Sequence, residues 1–319
     1  MELTPKKIYE DFRLKNIDKN SAAELLTSLI ENTEDDDIRL KAIEFMYKIG
    51  IQNEKIFNLL ENLLISDLNG NIRCAATNYL KKFFLEKSLP LLKWAIQYES
   101  DYNCMIVLIQ TLVELNNAES KLLLVDMIKR IKNTKYLDDD KRIENKKFKK
   151  IVKKLLKEIK GENLAHQTLA EIIINYLTIS NLTKKFYSVY FELDNALVRK
   201  LDLADVEYEV RGWKSDFKNN IKELNEITGI EFLKSLTHLN LSNNQISNIE
   251  ELFKLKNLTH LYISNNKIKD IENLEYIKEL PNLKYVDISG NPILEHLNSH
   301  YFNTNRFGNI KIVLKKYKF

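Results

Sequence analysis

The feature that most constrains this chain is an apolar pattern that recurs with a fixed period in residues 236–293. The first copy consists of Leu236, Leu239, Leu241, Asn244, Ile246, Ile249 and Leu252. The second copy lies 22 residues later and consists of Leu258, Leu261, Ile263, Asn266, Ile268, Ile271 and Leu274. Its first five positions recur after 25 more residues, as Leu283, Val286, Ile288, Asn291 and Ile293. A fixed period of this kind indicates similar units that stack and share one core.

Each copy predicts a short strand, because apolar and polar residues alternate at its centre. Leu239 and Leu241 should point inward, whereas His238 and Asn240 should point outward. Stacking the copies then makes a parallel sheet. The asparagine after each strand stands where the chain leaves the sheet, and its amide can pair backbone groups that the turn leaves unpaired. We therefore expect a buried ladder of structural asparagines, formed by Asn244, Asn266 and Asn291.

The pattern LxxLxLxxNxI resembles the 22-residue class of leucine-rich repeats, which includes a regulatory subunit of protein phosphatase 1. This resemblance concerns the scaffold positions and not those that would contact a partner. It implies a curved scaffold that binds other proteins, and it implies no catalytic chemistry.

Residues 21–132 predict antiparallel helix pairs that have a second internal period. Ser21, with Glu24 three residues on, is typical of a capping box at the start of the first helix. A shift of 34 residues maps Leu26, Ile38, Arg39 and Ala42 onto Leu60, Ile72, Arg73 and Ala76. A weaker third copy places Trp94 under Leu60 and Ile106 under Ile72. Period and element type together indicate an α-solenoid.

This helical half resembles short HEAT repeats, whose second helix begins D-x-I/V-R-x-x-A. Residues 36–42 read DDIRLKA and residues 69–76 read NGNIRCAA, whereas residues 100–110 lack both the arginine and the alanine. The resemblance implies that the polar residue caps the second helix and that the arginine makes a packing or inter-repeat contact.

Residues 141–160 concentrate positive charge, with ten Lys or Arg residues and two Glu residues, while the formal net charge of the whole chain is only +4. The segment predicts a helix whose basic side chains include Lys146, Lys147, Lys150, Lys153, Lys154 and Lys157. The pattern favours the solvated outer face of one more helix. A surface for an acidic partner or a membrane is an alternative, and nucleic acid ranks last because arginine is scarce and aromatic residues for base stacking are missing.

Three further segments should close the repeats. Residues 164–180 predict an apolar helix that closes the helical solenoid. FYSVYFEL and ALVRKLDL flank Asp194 and Asn195, which predicts a β-hairpin that caps the open edge of the repeat sheet. Residues 211–235 hold a degenerate copy, in which Leu224, Ile227 and Ile230 stand 22 residues before Ile246, Ile249 and Leu252. Its strand, at residues 213–222, has lost the pattern, and residues 310–319 alternate like a final edge strand.

The predicted fold class is an α + α/β repeat protein, with an N-terminal α-solenoid of short HEAT-like helix pairs followed by a short leucine-rich-repeat solenoid with a parallel sheet. The predicted domains are a solenoid at 1–133, a basic and a closing helix at 134–183, a hairpin cap at 184–210, and a leucine-rich-repeat domain with its C-terminal cap at 211–319. This arrangement resembles HEAT and leucine-rich-repeat proteins of Asgard-type archaea.

The outward positions of the three strands form columns that are candidates for binding a partner. These candidates are His238, Asn240, His260, Tyr262, Tyr285 and Asp287. Rigid aromatic side chains on strands lose little entropy on contact, so we take Tyr262 and Tyr285 as the anchors. The adjacent histidines could share a metal or act as a pH-sensitive contact. We predict no metal, because a stable zinc site needs three or four ligands and Asp287 is the only acid within reach.

The sequence favours an interaction scaffold over an enzyme. It has no Gly-rich phosphate loop, no GxSxG motif and no CxxC motif. We therefore predict no catalytic residues and no cofactor, and we take the two cysteines, Cys74 and Cys104, as buried apolar residues. No 18-residue apolar run is found, so we expect a cytoplasmic protein. The expected partner is a protein of unknown identity. The alternatives are a membrane-surface or nucleic-acid role for residues 141–160, and a regulatory subunit of a GTPase or phosphatase.

Overall fold

The structure, a computed structural model, describes residues 3–133, 150, 153, 164–186, 188–211, 216–296 and 307–314. The chain divides into two compact units, Met1–Asp126 and Met127–Phe319. The first unit is helical, and the second contains a parallel sheet with leucine-rich segments. The coarse prediction of a helical N-terminal part and a C-terminal repeat part with a parallel sheet is therefore confirmed.

The N-terminal part consists of short helices joined by tight connections. They are α1 (Pro5–Arg13), α2 (Lys19–Asn32), α3 (Asp36–Ile49), α4 (Glu54–Ser66), α5 (Gly70–Phe83), α6 (Leu89–Tyr98), α7 (Tyr102–Leu115) and α8 (Ala118–Asn133). A 3₁₀ turn, Glu86–Ser88, precedes α6. Helices α2 and α3 pack together, as do α4 and α5. The second helices pack closely because the side chains of Ala42 and Ala76 are small and fully buried.

Side-chain caps begin these helices, although one cap differs from the prediction. Asp18, not Ser21, is the N-cap of α2, and its carboxylate accepts the N–H of Ser21. The N–H groups at the starts of α3, α5 and α7 are accepted by the side chains of Asp35, Asn69 and Asp101. These residues satisfy donors that a helix leaves unpaired at its first turn.

The third helix pair is shifted by two residues from the predicted alignment. Asp101 bonds the N–H of Cys104 as Asp35 bonds that of Ile38, so Cys104, and not Ile106, takes the position of Ile72. In the first helix of this pair Leu92 is fully buried, while Trp94 is 39% exposed. The prediction that Trp94 takes the position of Leu60 is therefore wrong, because the connection before the third pair is shorter.

The second unit is built on helix α9 (His166–Lys185) and a sheet. The strands are β1 (Tyr190–Asp194), β2 (Leu197–Asp202), β3 (Tyr208–Arg211), β4 (Asp216–Asn219), β5 (His238–Asn240), β6 (His260–Tyr262), β7 (Tyr285–Asp287) and β8 (Lys311–Val313). The return segments contain α10 (Glu272–Lys278), α11 (Ile293–His296) and 3₁₀ turns at Leu224–Glu226, Ile230–Phe232 and Glu250–Lys254.

Among the described residues the main sheet has the order β1-β2-β5-β6-β7-β8. The pair β1 and β2 is antiparallel and the other neighbours are parallel. The hairpin turn falls on Asn195 and Ala196, both with positive φ, one residue later than predicted. The hairpin covers the free edge of β5, and β8 covers that of β7, so neither repeat edge is left unpaired.

The degenerate first repeat differs from the prediction in two ways. Its strand is β2, since Leu201 pairs with Leu239 of β5, and not residues 213–222. Its first apolar residue after the turn is Ile221, which makes the backbone bond to Gln245 that Ile246 makes to Lys267. The separate hairpin β3–β4 lies between these two points of the repeat and moves its apolar positions out of the 22-residue register.

Helix α9 belongs to the second unit, whereas the sequence suggested that it closes the helical solenoid. It packs on β2 and on the Ile230–Phe232 turn. The Oδ1 atom of the buried Asn175 accepts the Val198 N–H at 2.8 Å, and Lys185 Nζ donates to the Glu226 carbonyl at 2.8 Å. The helix therefore covers the start of the repeat core.

Buried asparagine side chains join the repeats. Asn266 Nδ2 donates to the carbonyls of Leu241 and Ile263 at 2.9 and 3.1 Å, and its Oδ1 accepts the Ile246 N–H at 3.0 Å. Asn244 and Asn291 make the corresponding bonds in their own repeats. Each asparagine thus bonds two strand-end carbonyls from adjacent repeats.

A second ladder lies one residue earlier, where the chain needs a positive φ. Its members are Asp205, Asn243, Asn265 and Gly290. Asn265 Nδ2 donates to Asn243 Oδ1 at 2.7 Å, and this bond fixes the Asn265 side chain. A Cβ atom at Gly290 would lie 2.1 Å from Asn265 Oδ1, so glycine is required there by both backbone conformation and space.

Replacing Asn266 with alanine should lower the free energy of unfolding by about 1–3 kcal/mol, because backbone groups of two repeats lose their partners in a buried place. Urea denaturation followed by circular dichroism measures the change. Gln245→Ala, which removes an exposed side chain of the same segment, is the control and should stay within about 0.5 kcal/mol of the wild type. An unchanged unfolding midpoint for Asn266→Ala would contradict the ladder's energetic role.

Gly290→Ala should destabilise the protein by about 1 kcal/mol more than Gly308→Ala. Both glycines have positive φ, but nothing lies within 4 Å of a Cβ at Gly308, so that variant carries only the backbone cost of about 1–2 kcal/mol. At Gly290 the added methyl group also displaces Asn265 from its hydrogen bond, which costs about 1 kcal/mol. Thermal unfolding measures both. The excess should vanish in an Asn265→Gly background, and its persistence there would exclude this contact as the cause.

Candidate functional site

The strands β2, β5, β6 and β7 present their outward side chains as two rows on one side of the sheet, which we call the sheet face. The first row pairs Lys200, His238, His260, Tyr285 and Lys311 across the strands. The second row pairs Asp202, Asn240, Tyr262, Asp287 and Val313. The residues between the rows point inward and are fully buried, as in Leu239, Leu261 and Val286. The structure therefore brings all six predicted binding residues to one surface.

The aromatic side chains of the sheet face stack on one another. The rings of His238 and His260 are parallel within 6°, with centroids 4.2 Å apart. The Tyr285 ring lies 5.7 Å from that of His260 and 5.2 Å from that of Tyr262. Neighbouring strands lie about 4.8 Å apart, so the spacing of the backbone sets the spacing of the rings. The four rings form one continuous cluster, which we call the ring cluster.

Threonine residues fix the histidine tautomers, a role that we did not predict. The Thr237 hydroxyl donates to the Arg199 carbonyl at 3.0 Å and lies 2.9 Å from His238 Nδ1. Because that hydroxyl has already used its only proton, it accepts from Nδ1–H, and Nε2 is left as an acceptor. Thr259 does the same for His260, with distances of 2.9 and 3.0 Å. The 22-residue spacing of these threonines was the signal in the sequence.

The local charges favour neutral rings in the ring cluster. Burial lowers the pKa of His238 below its ordinary value of 6.5, and the neighbouring His260 and Lys200 lower it further, against a smaller opposite effect of Glu192. Burial raises the pKa of Tyr285, and the nearby Asp287 and Tyr262 add to this. The histidine is therefore a neutral acceptor at pH 7, and the phenol keeps its proton as a donor.

Polar residues of the second row bond to their own turns. Asn240 Oδ1 accepts the Ser242 N–H at 3.1 Å. Asp287 Oδ1 accepts both the N–H and the hydroxyl of Ser289, at 3.0 and 2.6 Å. Asp202 Oδ1 makes the corresponding bond to the Ala204 N–H at 2.9 Å. Each of these side chains has one terminal atom committed to the fold and one that faces outward.

A cavity of about 470 Å³ opens on the sheet face where the β1–β2 hairpin meets β5. Its lining includes Tyr190, Glu192, Lys200, Asp202, His238 and Tyr262. We had assigned the hairpin a capping role only, so its contribution to the site was missed. The alternating pattern of residues 197–203 could have revealed β2 as a strand of the repeat sheet.

The predicted basic helix falls largely outside the described residues, as do Lys146, Lys147, Lys154 and Lys157. Lys150 and Lys153 are described and are exposed. Within the described ranges, no group of three or more His, Cys, Asp or Glu side chains is placed to hold a metal ion. None of the helices in the described part of the chain combines the length and the apolar character needed to cross a membrane.

Comparison with protein families identifies the segment that carries the ring cluster. A family model described as "Leucine rich repeat" matches residues 218–268, and one described as "Leucine Rich repeats (2 copies)" matches residues 256–299. Residues 218–299 are leucine-rich repeats. No curated protein and no solved structure shows a significant match to the chain. Repeats of this kind commonly mediate protein–protein interactions, through surfaces formed by side chains of successive units.

Replacing His260 with glutamine should raise the pKa of His238 towards 6.5, because one cause of its depression is removed while burial remains. An NMR titration of the His238 ring signals measures the shift. Lys256→Gln, which removes an exposed charge that does not act on His238, is the control and should leave the titration unchanged. A His238 pKa that is identical in wild type and His260→Gln would show that the rings do not interact.

The same depression makes stability depend on pH in a defined direction. The unfolded chain takes up the His238 proton near pH 6.5, whereas the folded protein takes it up only at lower pH. This contribution to stability is therefore complete above pH 6.5 and decreases as the pH falls through the folded pKa. Replacing His238 with glutamine should reduce the loss of stability between pH 7.5 and 5.5.

Proposed function

We propose that this protein is a non-enzymatic interaction scaffold that binds a protein partner on the sheet face of its leucine-rich repeats. The ring cluster is the observation that carries the proposal. Its four rings are stacked at distances of 4.2 to 5.7 Å on adjacent strands, and they are only partly buried. Such an arrangement presents apolar surface together with polar atoms at the ring edges.

Rigid rings of this kind suit protein recognition. Tyrosine is enriched among residues that dominate binding energy, since its large ring has few rotatable bonds. The neighbouring rings already restrict one another, so ordering on contact costs little entropy. The Nε2 acceptors of the histidines and the tyrosine hydroxyl groups add directional hydrogen bonds. The ring cluster therefore offers an apolar centre, and the polar second row offers a rim.

For the helical unit we propose a HEAT-like solenoid that supports this scaffold. Arg39 bonds Asp67 of the next pair, and Arg73 bonds both carboxylate oxygens of Glu99 at 2.8 and 2.7 Å. The two arginines occupy matching places in successive pairs and link each pair to the next. This agrees with the inter-repeat role that the resemblance to HEAT repeats implies.

A pull-down from native lysate with the Tyr262→Ala/Tyr285→Ala variant tests the proposed site. Loss of two anchors should reduce capture of the partner at least tenfold, because each buried anchor contributes about 2 kcal/mol or more. The matched control is Trp94→Ala/Tyr98→Ala, which removes an exposed aromatic pair of the helical unit whose rings lie 4.7 Å apart. Quantitative mass spectrometry at 0.1 and 0.5 M salt measures capture.

The outcomes separate the candidate functions. A discrete protein that survives 0.5 M salt, vanishes with the tyrosines and persists in the control supports the sheet face, and a GTPase or phosphatase would indicate a regulatory subunit. A partner lost only in Trp94→Ala/Tyr98→Ala would place binding on the helical unit. Nucleic acid or lipid that dissociates at high salt would assign function to the Lys-rich segment instead.

A further inference from the structure

The cavity at the hairpin has walls and a floor of different chemistry. Tyr190, Asp202, Asn240 and Tyr262 stand opposite one another on four adjacent strands. The two tyrosines are therefore three strand spacings apart, roughly 14 Å between backbones, with the acid and the amide between them. Tyr190 is 61% exposed, so its ring is available to a ligand. The space between the rings accommodates one extended side chain.

The charges around this cavity sum to a negative site. Lys200 Nζ is held 2.9 Å from Glu192 Oε2, so these two charges compensate each other. The Asp202 carboxylate bonds only the Ala204 N–H, through Oδ1, and among the described residues it forms no ion pair. One carboxylate oxygen and the neutral His238 Nε2 are thus left as acceptors on the lining of the cavity. A cationic donor matches this set, whereas an anion would face an uncompensated acid.

The shape of the site favours a guanidinium group over an ammonium group. Guanidinium is planar and stacks on aromatic faces, which Tyr190 and Tyr262 provide at the ends of the cavity. Its several N–H groups can bond a carboxylate and a second acceptor together, as Asp202 and His238 require. The Asn240 amide nitrogen, whose Oδ1 is bonded to Ser242, can donate to the backbone carbonyl of the same ligand residue.

We propose that this cavity is the receptor for an arginine side chain of the partner protein. The proposal rests on the proposed function, since it assigns the chemistry of the partner at one end of the sheet face. Tyr262 belongs both to the ring cluster and to the cavity wall. An arginine held here would therefore lie beside the partner residues that cover the remaining rings.

NMR titration of the full chain with three small probes tests the assignment. The probes are Nα-acetyl-arginine methylamide, the citrulline analogue and the lysine analogue. The arginine probe should produce saturable shifts of the His238, Tyr190 and Tyr262 ring signals. Citrulline has the same shape without the charge and should bind about tenfold more weakly, because a charge-assisted bond is lost. The lysine probe should bind less tightly than the arginine probe.

Two isosteric variants provide the control. Asp202→Asn keeps the Oδ1 acceptor for Ala204 but loses the charge, so it should bind arginine and citrulline equally. Asp205→Asn removes a neighbouring exposed charge at a positive-φ position where later repeats carry asparagine, and it should retain the preference. Equal binding of arginine and citrulline by the wild type, or a preference that survives Asp202→Asn, would overturn the assignment.

The two proposals fail in different ways. If the partner is captured through Tyr262 and Tyr285 while the arginine probe shows no preference, the sheet face binds the partner and only the arginine assignment is wrong. If capture does not depend on these tyrosines, the proposed function is wrong whatever the probes show.

Discussion

The bond between a buried asparagine and the strand-end carbonyls of two adjacent repeats is the interaction on which the C-terminal unit depends. A parallel sheet that turns sharply after three-residue strands leaves backbone groups without partners in its core. Asn266 pairs carbonyls of its own and the preceding repeat and also receives an N–H from the preceding return segment. The strands are thereby locked in register, and the rings of His238, His260 and Tyr285 stack because their strands are so locked.

The ladder also explains how the first repeat begins. Asn244 uses the carbonyl of Leu203 as its preceding partner, so the β2 repeat must supply a carbonyl but has no earlier repeat to bond. Val206 stands where the later repeats have asparagine, and it is fully buried. Hairpin β1–β2 and helix α9 then cover the exposed edge and core, and Asn175 joins the helix to the hairpin. The same hairpin supplies Asp202 to the sheet face, so capping and binding share one element.

Much of the repeat architecture could be read from the sequence because the apolar pattern in residues 236–293 is unbroken, and it placed β5, β6 and β7 in their correct registers. The pattern failed where the period changed. Insertion of β3–β4 moved Ile221 out of register, and a shorter connection shifted Cys104 by two positions. The histidine tautomers could not be predicted, because they depend on a Thr237 hydroxyl whose proton is directed by a carbonyl of another strand.

Turn capping determines what the second row can offer to a partner. Asp202, Asn240 and Asp287 each use one oxygen to hold a backbone N–H where the strand ends, so the fold requires an oxygen acceptor but not a charge. The remaining atom is an amide donor in asparagine and a carboxylate acceptor in aspartate. An exchange between the two residues at such a position can therefore change which partner groups are recognised while leaving the turn intact. Tyr262 lacks the capping atom and adds a ring at the same place, which is why the apolar and the charged parts of the sheet face meet there.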